Sequence, residues 1–323
     1  MKYFMSLLVS IACLGCEKLD PAAPGNLVAF TVMEDASIPV VHLSSTSVHY
    51  SAFGRDSATK VFILEGGPGD DFRYLLDLDR PVGDRKLSDD YYLIYHDYRG
   101  CGLSRRHALE ELSLALSLRD LEELIDHFAP AERVVLIGHS HGAVVATQYL
   151  NKHPERVGGI VLIEPGALSR SINEHLPAAN AVNLFGGDIN RILWVKQLIG
   201  LNDHATADYF FDVARINIDA DNRGERCPSR NYRGGAAAAI AIAIDEVNNE
   251  QYDFTTHLAS YPDEVLFISS DESDLGARFQ EERQVSLFPN ATHEIIEGTG
   301  HNGLINCTTE RTIGYIRAYL ERL

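Results

Sequence analysis

The sequence predicts an α/β protein: a mostly parallel sheet flanked by helices, with a helical lid inserted after the sixth strand. Three observations carry this prediction. The runs VFIL, YYLIYH, VVLI and IVLI are continuously apolar and rich in β-branched residues, the mark of strands buried on both faces. Helical segments alternate with them, as in SLALSLRDLEELIDHF, where Leu114, Leu118, Leu121, Ile125 and Phe128 recur at helical spacing. After Glu164 the strand runs stop, helical pieces follow one another to residue 259, and then strand and helix alternate again.

Taken in order, residues 1–15 read as an export signal, with Lys2 ahead of an apolar stretch too short to span a membrane. Cys13-Leu14-Gly15-Cys16 resembles a bacterial lipoprotein cleavage site, with Cys16 as the residue to be acylated; a plain secretory signal is the alternative. The chain is therefore expected to be exported and membrane-anchored, or else periplasmic or secreted. A linker covers 16–26, and the core comprises 27–164 and 260–323. Extended runs fall at Leu27–Val32, Ser47–Phe53, Lys60–Leu64, Tyr91–His96, Arg133–Ile137 and Gly159–Ile163, and later in EVLFISS and HEIIEG. Ser117 followed by Asp120 offers a cap for the first long helix. Ala143 to Asn151 continues as a second, which His153-Pro154 ends. Segments such as AANAVNLF, RILWVKQLIG, DYFFDVARI and GGAAAAIAIAIDEVNNE make 165–259 a helical cap. A final amphipathic helix, TERTIGYIRAYLERL, closes the chain.

Composition narrows the function. Hydrophobic residues make up 45% of 323, as in an ordinary globular protein. A formal charge of −18 excludes an extended nucleic-acid footprint and leans toward cationic or amine-bearing ligands. Past Cys16, Cys101, Cys227 and Cys307 allow one disulfide and one thiol in an oxidising compartment. Their spacing fits no zinc site, and no metal or cofactor is expected.

The chemistry gathers around Gly138-His139-Ser140-His141-Gly142, which follows the strand VVLI and opens a helix. In such a strand–turn–helix elbow the serine is forced out above the sheet edge, and the helix N-terminus aims free N–H groups at the same point. A serine hydroxyl needs a base. His301, on a glycine-flanked loop after a strand run, is placed to reach it. The base in turn needs a carboxylate. Asp274, in Asp271-Glu272-Ser273-Asp274 after VLFISS, has the favoured spacing, with Asp271 and Glu272 as rivals. The loop LEGGPGDD leaves the third extended run and brings the Gly67 N–H toward an oxyanion; the His141 N–H is the second donor.

With EGGPG at 65–69, DYRGCGLS at 97–104, GHSHG at 138–142, DESD at 271–274 and GTGHN at 298–302, the chain resembles the α/β-hydrolase fold superfamily, and within it the proline iminopeptidase-like serine peptidases. Glu65 stands where the family usually has histidine, and His141 where it often has tryptophan. The resemblance implies that Asp97, Arg99, Gly100 and Ser104 form a structural brace. It also implies that lid carboxylates bind a substrate ammonium, for which Glu164, Asp245 and Glu246 are the candidates.

The reading that follows is a serine hydrolase cleaving a small peptide or amide through Ser140, His301 and Asp274, as an aminopeptidase. A carboxylesterase on small esters is the runner-up. A non-catalytic surface binding protein is a third reading, set against the presence of all three groups.

Overall fold

The computed structural model describes residues 28–176, 204–212 and 231–323. The expected signal, the whole of the linker with Cys16, Cys227 and much of the expected cap lie outside them. Eight strands form one sheet: β1 (Val40–His42), β2 (Ser47–Phe53), β3 (Lys60–Leu64), β4 (Tyr92–His96), β5 (Val134–His139), β6 (Val157–Ile163), β7 (Val265–Ser270) and β8 (Ala291–Ile296). Their order is β1-β2-β4-β3-β5-β6-β7-β8. The β1–β2 and β2–β4 pairs are antiparallel and all others parallel. This is the α/β-hydrolase fold, and the strands β3 to β6 are those whose sequences read as apolar on both faces.

The two faces separate by alternation along each strand. Phe62, Leu64, Ile94, Leu136, Leu162 and Phe267 belong to one buried cluster, with helices α1 (Leu114–Phe128) and α2 (His141–Lys152). Val61, Ile63, Tyr95, Ile137, Ile163 and Ile268 belong to the other, with residues 72–78 and Ile313, Ile316 and Tyr319 near the C-terminus. Each fully buried Leu, Ile or Phe contributes roughly 1.5–3 kcal/mol, so this double-sided core holds the strand ends rigid beneath the site.

Two expectations need correction. The described part of the first extended run, 28–32, is not a strand. Thr31 instead heads a turn that accepts from the N–H groups of Glu34 and Asp35, and the sheet starts at β1. The cap of α1 is Ser113, whose hydroxyl accepts from the Leu116 N–H. Ser117 lies inside the helix, donating to the Ser113 carbonyl, and Asp120 binds Arg99. In the expected cap, the described residues include α3 (Arg170–Asn173), a helical stretch 204–212, and α4 (Ala236–Asn248). After β7 come α5 (Ala277–Arg283), then α6 (Gly303–Asn306) and α7 (Thr309–Leu320). Cys101 is a buried free thiol and Cys307 is disulfide-bonded.

The brace expected around DYRGCGLS is present. Asp97 accepts from His49 Nδ1 at 2.7 Å and from the N–H groups of Phe72 and Leu103. Ser104 donates to the Asp97 carbonyl and accepts from the His49 N–H. Arg99 grips Asp120 through two 2.6 Å bonds, both side chains being buried. A bidentate guanidinium–carboxylate pair fixes orientation as well as charge, so this loop is held against α1.

Candidate active site

Ser140 sits at the joint between β5 and α2 with φ 55° and ψ −118°, a strained backbone for a residue with a side chain. The flanking glycines are sterically required. A Cβ on Gly142 would lie 2.2 Å from the Leu64 carbonyl oxygen, and one on Gly138 would lie 2.5 Å from the Ala143 backbone. The elbow is pinned by the Ser140 N–H, which donates to the Ile163 carbonyl at 2.9 Å, and by the Gly166 N–H donating to the Ser140 carbonyl. The nucleophile elbow is thus tied to the end of β6.

At that end stands the other non-glycine residue with positive φ among the described residues, Glu164, at 45°. It is fully buried. Its Oε2 accepts from His301 Nδ1, and its Oε1 accepts from the Ser270 N–H at 2.7 Å and from the Ser270 hydroxyl. Burial pushes the Glu164 carboxyl above its ordinary range, while the Ser270 donors and the nearby His139 hold the rise back. The carboxylate that meets His301 is therefore Glu164. Asp274, expected there from spacing, is exposed. Its rival Asp271 takes another part, accepting from the N–H groups of Gly298 and Thr299 and so bracing the loop that carries His301.

His139 and Tyr74 complete the frame, and neither was singled out from the sequence. The Tyr74 hydroxyl accepts from the Gly66 N–H at 2.7 Å and meets His139 Nδ1 at 2.8 Å. His139 Nε2 lies 3.3 Å from the His301 carbonyl. A carbonyl can only accept, so His139 carries its proton on Nε2 and the Tyr74 hydroxyl donates to Nδ1. The His139 and His301 rings lie 4.5 Å apart. One chain of bonds thus joins the glycine loop, the elbow and the histidine loop. The sequence signal for it was a histidine inside the elbow itself.

A cavity of about 160 Å³ opens at Ser140. Gly67, Pro68 and His141 border it, so both expected oxyanion donors stand beside the serine. Gly67 has φ 124°, and a Cβ there would lie 2.5 Å from the Gly69 nitrogen. Val144, Leu176 and Leu275 supply apolar walls, and Glu246 reaches the same cavity with its carboxylate 3.5 Å from His141 Nδ1. Of the three acids proposed for an ammonium group, Glu246 alone takes such a position. Glu164 is consumed by His301. Asp245 accepts from the Leu114 N–H at 2.9 Å, satisfying an orphan donor at the start of α1.

Residues 65–310 match the alpha/beta hydrolase family, and the chain belongs to that family. A proline iminopeptidase of Arabidopsis thaliana is 30% identical over 146 residues, 45% of this chain and 33% of that protein. The chain thus spans about a third of the length of this curated relative. Among solved structures, an esterase from Exiguobacterium antarcticum superposes with a TM-score of 0.63 at 18% identity, covering 88% of this chain and 98% of that one. A proline iminopeptidase of Mycobacterium smegmatis superposes with a TM-score of 0.58 at 14% identity, covering 88% and 98%. These two likenesses show the fold.

Among the described residues no group of three or more His, Cys, Asp or Glu side chains has metal-binding geometry. No helix among them is long and apolar enough to cross a membrane.

Proposed function

We propose that the protein is a serine hydrolase using Ser140, His301 and Glu164, acting on small peptides or amides with a free amino terminus. The observation that carries the reading is Glu164 on His301 Nδ1, in a frame tied to the strained Ser140 elbow. With Nδ1 committed to Glu164, Nε2 is the nitrogen that takes the Ser140 proton as the hydroxyl attacks a carbonyl. The same nitrogen then returns the proton to the leaving amine. Charge developing on the carbonyl oxygen is met by the N–H groups of Gly67 and His141, the latter at a helix N-terminus. Water activated by His301 then hydrolyses the acyl-enzyme.

Glu246 supports the amine preference, since its carboxylate reaches the cavity beside the nucleophile. The proline iminopeptidase relative points the same way. The small-ester reading is supported by the apolar walls formed by Val144, Leu176 and Leu275. An exported chain acylated at Cys16 remains part of the proposal, supported by the sequence of residues 1–16.

The deciding experiment is a paired turnover assay of the wild type and Ser140→Ala. Its substrates are proline and alanine anilides with free amines, the N-blocked counterparts, and short-chain aryl esters. Turnover of free-amine anilides that the variant loses supports the aminopeptidase. Turnover of esters alone transfers the conclusion to an esterase. No turnover, together with no labelling of Ser140 by a fluorophosphonate, overturns the catalytic reading.

A further inference from the structure

Helix α4 carries an apolar stripe on its outer face. Ile240, Ile244 and Val247, spaced four and three apart, are 54%, 54% and 59% exposed, whereas Ala238, Ala241 and Ile242 are buried in the core. Residues at this spacing share one side of a helix. Leu109, 52% exposed, lies on the short turn Leu109–Glu111 that packs against α4. Phe30 and Met33 are exposed as well, in the segment whose Ala29 carbonyl accepts from Arg233, three residues before α4 starts. Among the described residues the other exposed large apolar side chains are Phe53, Tyr232, Ile295 and the terminal Leu323. A contiguous apolar face of this kind marks an interaction surface.

The place where the chain enters the described structure says what covers this face. Arg233, three residues before α4, holds the Ala29 carbonyl, so the described chain begins near that end of the helix. About a dozen residues separate Cys16 from residue 28, and fully extended they reach at most about 40 Å. An acyl chain on Cys16 therefore keeps the stripe within one domain's width of the bilayer. The charge on this face narrows the kind of bilayer. Helix α4 contains no lysine or arginine, so the stripe offers no cation to an anionic headgroup, and the chain as a whole is at −18. An anionic surface would repel it.

We propose that the outer face of α4, with Ile240, Ile244 and Val247 at its centre, lies on a zwitterionic lipid surface. The proposal rests on the acylation of Cys16. The cavity lies on the other side of this helix, where Glu246 reaches it, so substrate enters along the rim between helix and membrane.

The test uses the full chain made with its own leader, reconstituted into phosphatidylcholine vesicles. An environment-sensitive NBD fluorophore is attached at Ile244→Cys, at Val247→Cys as a second site, and at Glu155→Cys as a control. Glu155 is 69% exposed and precedes β6, at the end of the sheet away from the cavity. The unsubstituted chain, treated identically, corrects for labelling of native cysteines. Bromine-labelled phosphatidylcholine is expected to quench the labels at 244 and 247 at least twofold more than the label at 155. Equal quenching at all three sites overturns the proposal. So does quenching confined to phosphatidylglycerol vesicles, or a blue shift that tracks protein density and ignores brominated lipid, which would mean that a second copy covers the stripe. The mass of the mature N-terminal peptide separates a missing acyl group from a misplaced face. Turnover by Ser140, measured on the same samples, keeps either failure distinct from failure of the catalytic reading.

Discussion

Glu164 and His301, which are 137 positions apart in sequence, meet through a buried carboxylate–imidazole hydrogen bond at the ends of β6 and of the loop after β8. Loss of that carboxylate removes the group that holds the imidazole tautomer and stabilises its cation. Glu164→Gln is therefore expected to lower kcat by about 10³–10⁴. Asp274→Asn, on an exposed side chain, is expected to stay within about twofold. Steady-state kinetics on whichever substrate the wild type turns over checks both, and the opposite ranking would return the role to Asp274.

On the proposed aminopeptidase reading, Glu246, which lines the cavity, meets the substrate ammonium. A charged hydrogen bond contributes about 1.5–3 kcal/mol, so Glu246→Gln is expected to reduce kcat/KM for free-amine anilides by roughly 10–100-fold. N-blocked substrates and aryl esters should be unaffected. Uniform loss across all substrates would mean that Glu246 acts on His141 instead.

Glu65 is fully buried, with Oε1 accepting from the Tyr98 N–H at 3.0 Å. Burial, and then the charge of Asp97, push its carboxyl well above the ordinary range, which favours the neutral acid. A neutral isostere should substitute for it. Glu65→Gln is expected to keep activity within about threefold. Glu65→Ala leaves the Tyr98 donor unpaired at a cost of about 1–3 kcal/mol, visible as a lower melting temperature. Equal damage from both variants would show that the charged form is the one required.

Asp71 joins the glycine loop to the segment before α4, accepting from the N–H groups of Tyr232 and Arg233. Burial, with the Asp97 charge adding to it, raises its pKa from 3.8 to about 7. A carboxyl whose pKa rises on folding contributes stability that is whole below about pH 4 and is lost as pH climbs through 7. Asp71→Asn escapes that loss. Its melting temperature relative to wild type is expected to improve by on the order of 2–4 °C between pH 5 and pH 8. A difference independent of pH would show that Asp71 titrates normally.

The fold was legible because strands buried on both faces advertise themselves as unbroken apolar runs, and β3 to β7 do so. The edge strand β1 is three residues long and carries no such run. Of the candidate residues, Ser140, Gly67 and His141 were singled out from glycine patterns whose steric reasons the structure supplies at Gly67, Gly138 and Gly142, and His301 from its place on a glycine-flanked loop. The partner of His301 was misread because sequence shows distance along the chain, whereas the proposed triad depends on which strand ends are neighbours. The Ser140 N–H on the Ile163 carbonyl puts the end of β6 beside the elbow, and that pairing leaves no mark in the spacing of acids after β7. The one local sign was an acid appended directly to the buried run IVLI, followed by Pro165 and Gly166.

Seating the carboxylate at the tip of β6 alters what the molecule can vary. In the proposed triad the acid and the nucleophile travel together on adjacent strands, and the turn after β7 serves them from the side: Asp271 anchors the histidine loop, the Glu272 N–H donates to the Thr299 carbonyl, and Ser273 hydrogen-bonds Glu164. Natural drift or laboratory grafting has its freedom at the exposed Asp274, since Ser273 meets Glu164, Leu275 lines the cavity and a Cβ on Gly276 would lie 2.4 Å from the Ser270 carbonyl oxygen. This gives the rim one position that can vary while its neighbours stay tied to the groups beneath them.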